Sequence, residues 1–286
     1  MHHFITFLLI VVSAGITGFG GNWPQWRGPD LNGISSEQGL PTRWSTSNNV
    51  RWKLALPDRS GATPIIWDDH IYLNVATGED LALWCVSRTS GKMIWQASLG
   101  GGNVRVRKQN MSSPSPVTDG SAVWALTGTG ILKAFSTDGK ELWSRDLQKE
   151  YGQFGLKWGY ASSPLLYQDL IFVQVLHGWT TDDPSYVLAI EKDSGTTRWR
   201  VIRPTDAIKE SPDSYTTPAL LDRGSRQEVV VSGGDYVTGH DLATGKELWR
   251  MEGLNPEKKQ ANRMIASPVT IGDLIYVPSR RKPLLA

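Results

Sequence analysis

The residues able to do chemistry are few and scattered. Histidine occurs at His2, His3, His70, His177 and His240, and none of the last three pairs with another at metal-ligand spacing. Cys85 is the sole cysteine, which excludes an internal disulfide framework and a cysteine-based zinc centre. No cluster of Asp, Asn and Glu has the spacing of a calcium site. Gly100-Gly101-Gly102 is a flexible turn, because neither Gly-Lys-Ser/Thr nor a helix start follows it. Asn110-Met111-Ser112 fits a glycosylation sequon, but a single match in 286 residues carries no weight. His70 follows two aspartates in a turn and reads as structural. His177, followed by Gly178 and Trp179 in a loop after an apolar run, is the histidine assigned to a candidate site.

What remains is a recurring mixture of cations with aromatic and amide side chains. It comprises Arg105, Arg107, Lys108 and Asn110, then Lys157, Trp158 and Tyr160, then His177, Trp179 and Tyr215, and last Asn262 and Arg263. Any one of them alone is an ordinary solvated loop residue. As a set on one face they could receive an extended peptide or an anionic small molecule. No catalytic residue is assigned.

The elements that must position this set are written in a repeat. With 30 Lys+Arg against 28 Asp+Glu the net charge is +2, which excludes a nucleic-acid binder working through a large basic excess. Composition is that of a globular chain, but 13 Trp against 6 Phe is unusual and calls for a repeated use of Trp. A Gly-containing turn followed four residues later by Trp occurs at Gly91/Trp95, Gly139/Trp143, Gly195/Trp199 and Gly245/Trp249, at a spacing of about 50 residues. Trp52 stands about one step earlier without the turn. Thr63-Pro64, Ser115-Pro116, Ser163-Pro164, Thr217-Pro218 and Ser267-Pro268 keep the same beat.

Each period reads as four short strands. In the third they are Pro164 to Tyr167, Leu170 to Leu176, Tyr186 to Glu191 and Thr197 to Ile202, rich in β-branched and aromatic residues and bounded by turn formers. No stretch keeps a helical apolar period. Four antiparallel strands per unit, repeated radially, predict an all-β β-propeller of the WD40-like or PQQ-like kind. Trp52, Trp95, Trp143, Trp199 and Trp249 are expected to fill the wedges between splayed blades, each burying on the order of 200 Å².

The third and fourth repeats, Ala189 to Gly195 and His240 to Trp249, resemble the tryptophan-docking motif of PQQ-like β-propeller repeats, with His240 read at the motif's alanine position. Asn22-Trp23-Pro24-Gln25-Trp26-Arg27-Gly28-Pro29-Asp30 resembles the lead-in of exported bacterial members labelled BamB-like. The resemblance covers residues 22–286 and implies seven or eight blades. The sequence holds four full blades and part of a fifth, so a C-terminally truncated propeller is expected. Its third strand would begin near Pro283, and a strand around Val50–Leu54 would complete the final blade from outside.

The expected organisation is a signal peptide over 1–20, an N-terminal lead-in over 21–49 and the propeller domain over 50–286. The apolar run from Phe4 to Val12 is too short to span a membrane and has no acidic neighbour. The implied function is a non-catalytic exported scaffold, in the periplasm or cell envelope, binding protein or peptide partners without a cofactor, a nucleic acid or a stable membrane span. The alternative implied by the resemblance is a quinoprotein dehydrogenase, with PQQ in the central funnel, a Ca²⁺ held by Glu and Asn, and an Asp base. Such enzymes often carry a vicinal cysteine pair, which this sequence lacks. A ligand-sensing propeller is the third possibility.

Overall fold

The computed structural model describes residues 20–280 and 284–286. The expected signal peptide lies, apart from Gly20, outside the described residues. The first sheet is β1 Ile65–Trp67, β2 His70–Thr77, β3 Asp80–Ser87 and β4 Met93–Gly100; the second is β5 Val117–Thr118, β6 Ala122–Leu126, β7 Ile131–Ser136 and β8 Glu141–Asp146. The third is β9 Leu165–Tyr167, β10 Leu170–Val175, β11 Tyr186–Glu191 and β12 Thr197–Ile202; the fourth is β13 Ala219–Asp222, β14 Gln227–Gly233, β15 Tyr236–Asp241 and β16 Glu247–Met251. The fifth has β17 Val269–Ile271, β18 Leu274–Pro278 and a short β19 Leu284–Leu285. Every sheet is an antiparallel meander in chain order, and first strands adjoin first strands. This is a β-propeller arc of four complete blades and a three-stranded fifth, and it does not close into a ring.

The one helix among the described residues was not foreseen. Helix α1, Leu147–Tyr151, is a single turn whose N-cap Asp146 accepts a hydrogen bond from the Lys149 amide. It is too short to leave a periodic trace. Among the described residues no helix is long and apolar enough to cross a membrane.

The repeated tryptophans tie each blade to the next, but not as wholly buried wedges. Each lies on an outer strand, Trp95 and Trp143 half-buried and Trp199 buried, and reaches sideways to the neighbour's last turn. The indole N–H of Trp95 donates to the Thr137 carbonyl at 2.8 Å, Trp143 to Lys192 at 2.9 Å and Trp199 to Leu242 at 3.0 Å. The ring then covers the turn glycine: a Cβ on Gly139, Gly195 or Gly245 would stand 2.7, 2.8 or 2.5 Å from ring atoms of Trp95, Trp143 or Trp199. These glycines also have φ of +87°, +72° and +74°, a region that L-residues with a Cβ avoid.

Residues 50–54 form no strand, against expectation, yet Trp52 does the same job, donating to the Arg88 carbonyl at 2.8 Å and covering Gly91. Trp249 is the exception. Its N–H donates to the Glu228 carboxylate of its own sheet at 2.5 Å.

Opposite each tryptophan stands a small residue: Cys85 pairs with Trp95, Ala134 with Trp143, Ala189 with Trp199 and Gly239 with Trp249, each beside a register shift. His240 is therefore not at the alanine position. Gly239 is, and a Cβ there would lie 2.2 Å from Trp249. His240 is buried, its two ring nitrogens against the Gly245 carbonyl and the Thr238 hydroxyl, both at 3.0 Å. Cys85 is wholly buried and burial pushes its thiol up to about 12, so it serves as a small apolar residue.

The Ser/Thr-Pro mark has its own bonding role. The amide of Thr63 donates to Ser115 Oγ, that of Ser115 to Ser163 Oγ, that of Ser163 to Thr217 Oγ1 and that of Thr217 to Ser267 Oγ, at 2.8, 2.9, 3.0 and 2.8 Å. One hydroxyl per blade thus satisfies the amide of the blade before it. Proline next in sequence has no N–H to compete.

The lead-in runs through the hub that the first strands surround. Trp23 exchanges backbone hydrogen bonds with Ile66, the Pro24 carbonyl accepts from the Thr118 amide, and the Gln25 amide group both donates to and accepts from the Leu166 backbone. Arg27 donates to the Ser267 and Pro268 carbonyls. The space left beside it, against Pro164 and Pro218, is about 10 Å³, room for roughly one water.

Candidate functional site

The loops from the last strand of one blade to the first of the next return to one face, and four of them meet there. Lys108 and Gln109 from the first, Trp158 and Ala161 from the second, Tyr215 from the third, and Arg263 and Ile265 from the fourth line a largely apolar cavity of about 200 Å³. Four of its seven lining residues, Lys108, Trp158, Tyr215 and Arg263, belong to the set marked by the sequence.

Two buried carboxylates hold the loops together. Glu210 accepts from the Trp158 indole at 2.8 Å and from Arg263 at 2.7 Å, with the Lys157 ammonium 3.8 Å away. Asp213 accepts from the Lys157 amide at 2.8 Å and the Trp179 amide at 3.2 Å. Burial pushes the Asp213 carboxyl up to about 6, against the pull of those amides, and the nearby Glu210 charge acts in the same direction. Burial also raises the Tyr215 phenol, whose oxygen accepts from the Trp158 amide at 3.2 Å. Lys157 Nζ sits 4.0 Å from the Trp179 ring centre and 5.5 Å from that of Trp158. The Arg263 guanidinium lies 5.9 Å from the same Trp158 ring. A cavity floored by aromatic surface and lined by two cations, Lys108 and Arg263, with Lys157 nearby over Trp158 and Trp179, suits an apolar side chain with acidic neighbours.

The other marked residues are placed elsewhere. Tyr160 is buried and donates to the Gln174 carbonyl at 2.8 Å. Asn110 is wholly buried and donates to the Arg59 carbonyl at 2.6 Å, so its amide is turned inward from solvent. Asn262 is buried against the Leu254 carbonyl at 3.1 Å. These three hold loops in place. Arg105 is exposed and pairs with Asp58, while Arg107 is exposed on the same loop. Trp179 is exposed beneath Lys157. His177 is buried at a neighbouring cleft, where the Gly155 amide donates to its Nδ1 at 2.9 Å.

Glu210 and Asp213 escaped the sequence reading. They stand in Lys209-Glu210-Ser211-Pro212-Asp213-Ser214, which looks like any solvated loop. The only available signal was two carboxylates between two blades' worth of marked cations.

Among the described residues no three His, Cys, Asp or Glu side chains gather as metal ligands. The carboxylates at the cavity are already engaged, Glu210 by Trp158 and Arg263 and Asp213 by backbone amides.

Comparison with curated protein sequences finds no match. Solved structures share the fold. BamB from Moraxella catarrhalis superposes with a TM-score of 0.51 at 17% identity, over 84% of this chain and 67% of that one. A europium-containing methanol dehydrogenase gives 0.55 at 14% identity over 81% of this chain and 49% of that one. The quinohemoprotein alcohol dehydrogenase from Comamonas testosteroni gives 0.54 at 15% identity over 89% and 45%. The chain thus spans about half the length of the two dehydrogenases. The family model described as outer membrane protein assembly factor BamB matches residues 34–152 and 80–286. Carrying the same blade-to-blade repeat over nearly all its described length, the chain belongs to this BamB-like family of PQQ-like β-propeller proteins.

Proposed function

We propose that this protein is a non-catalytic scaffold of the cell envelope, exported by its N-terminal segment, that holds an extended acidic-apolar segment of a partner protein on its four-loop face. The observation that supports this most directly is the meeting of Lys108, Trp158, Tyr215 and Arg263 in one apolar cavity. A partner's apolar side chain would enter against Trp158 while flanking carboxylates meet Lys108, Lys157 and Arg263. On this reading the partner is a protein, as the assembly-factor description of the family suggests, and no cofactor takes part.

Fluorescence polarisation with labelled peptides tests it. Peptides carrying an aromatic or leucine residue between aspartates should bind, and their lysine-flanked counterparts should not. Binding should weaken with salt and fall about tenfold in Lys108→Glu, an exposed position whose change leaves the fold alone. Equal binding of both peptide sets would sink the proposal. Dye-linked alcohol oxidation after addition of PQQ and Ca²⁺ would sink the non-catalytic part.

A further inference from the structure

At about 200 Å³ the four-loop cavity is smaller than the roughly 300–1,000 Å³ of sites that enclose a whole small molecule, so it takes one residue of a longer chain. Two of its loops are held side by side. Ser214 and Met264 form a parallel bridge, with the Tyr215 amide donating to the Met264 carbonyl at 2.9 Å and the Met264 amide to the Asp213 carbonyl at 3.1 Å. Tyr215 thus lies beside Arg263 and Ile265, which flank Met264, and all three line the cavity. Ile265 is 55% exposed, an apolar side chain offered to solvent from the cavity wall. Apolar surface and polar donors therefore share a space one residue wide.

Those donors have bonding capacity left. Tyr215 Oη accepts from the Trp158 amide at 3.2 Å, and among the described residues nothing accepts its own proton. Burial keeps the phenol protonated. Arg263 spends Nη1 on Glu210 at 2.7 Å, on the same oxygen that takes the Trp158 indole at 2.8 Å. Its other N–H groups meet no acceptor among the described residues. The charges do not cancel either. Lys108, Lys157 and Arg263 stand against Glu210 and Asp213, which leaves one cation unmatched.

We infer that the residue this cavity takes is the last of a partner chain, its apolar side chain against Trp158 and Ile265 and its terminal carboxylate on Arg263 and the Tyr215 O–H. This rests on the peptide-binding reading of the four-loop face and narrows it. A space one residue wide, walled by apolar surface and anion donors, asks one residue for both an apolar side chain and a carboxylate. Internal residues supply one or the other: a leucine carries no charge and an aspartate little apolar surface. A chain end with an apolar last residue has both, and its single charge matches the single unmatched cation. A free apolar amino acid has the same two groups but brings an ammonium in among three cations.

The test uses the full chain and labelled peptides that lack Asp and Glu and end in leucine, each made as the free acid and as the amide, read by fluorescence polarisation. The acid should bind about tenfold or more tighter than the amide. Tyr215→Phe keeps the ring and removes the O–H. It should weaken the acid about fivefold and leave the amide unchanged, whereas a loop merely loosened would weaken both. Equal affinity for acid and amide, no binding by either, or equal losses for both in Tyr215→Phe overturns the inference. So does free leucine displacing the labelled acid more strongly than the unlabelled peptide does. The broader reading fails separately, when peptides with an internal leucine bind equally between aspartates and between lysines.

Discussion

Trp124 and Trp143 donate their indole N–H groups to one acceptor, the Lys192 carbonyl, at 2.9 Å each. Trp124 comes from β6, is almost wholly buried and lies deep in the second blade, whereas Trp143 comes from β8 at its margin. The third blade's last turn is therefore held at two depths through a single oxygen. The Lys192 side chain adds a third tie, to Asp119 at 3.0 Å and Asp169 at 3.3 Å. A shared acceptor predicts coupling: either indole alone keeps the carbonyl satisfied. In urea denaturation, Trp124→Phe/Trp143→Phe should lose about 1 kcal/mol more than the two single changes added together. Strict additivity would show that the two contacts act independently.

The hydroxyl of Ser163 predicts a sharper contrast. It satisfies the buried amide of Ser115 in the blade before it. Ser163→Ala leaves that N–H with no partner and should cost about 1–3 kcal/mol. Ser163→Thr keeps the oxygen, as Thr217 does at the equivalent place, and should stay within about 0.5 kcal/mol of wild type. Thermal or urea unfolding of the pair decides; equal losses would mean the side chain matters by its volume and not its hydroxyl.

Gly195 and Gly224 share nearly the same backbone, with φ of +72° and +73°. A Cβ on Gly195 meets the Trp143 ring at 2.8 Å, while one on Gly224 meets open space. Gly224→Ala should therefore show only the left-handed backbone penalty of about 1–2 kcal/mol. Gly195→Ala should lose clearly more, because the blade contact must also open. Similar unfolding free energies for the two would remove the tryptophan from the account of why that turn keeps glycine.

Those contacts mark how far the sequence could be read. The period was legible because two local demands recur: a positive-φ turn glycine under the preceding tryptophan, at Gly91, Gly139, Gly195 and Gly245, and a hydroxyl before a proline in all five blades. What the demand was for stayed hidden, since Trp95 and Gly139 meet across a blade boundary that no local pattern encodes. Third-blade strands matched to within a residue at their ends, being bounded by turn formers. The candidate face was half legible. Lys108, Trp158, Tyr215 and Arg263 sit where the loops converge, but Tyr160 and Asn110, each two residues from Trp158 or Lys108, turn inward. Loop residues carry no alternation to say which way each faces, and Glu210 and Asp213 become recognisable only when four loops are brought together.

Asp213 carries the pH prediction. Its carboxyl is raised from an ordinary value of 3.8 to about 6. The folded state thus holds a proton that the unfolded state has already released between those values. This contribution is fully present below about pH 4 and is lost as pH rises through about 6, costing on the order of 2–3 kcal/mol. His177 and His240, which burial holds below 6.5, run the other way: their contribution is lost as pH falls. A melting curve would blur the two, so the carboxyl must be followed directly, by ¹³C chemical shift. A midpoint near 6 is expected in wild type. In Glu210→Gln, which keeps an oxygen for Trp158 and Arg263 but removes the like charge, the midpoint should fall part of the way toward 3.8. It should not fall the whole way, because the burial remains. A wild-type midpoint near 4 would mean that water reaches Asp213 and that the loop anchor is looser than its hydrogen bonds indicate.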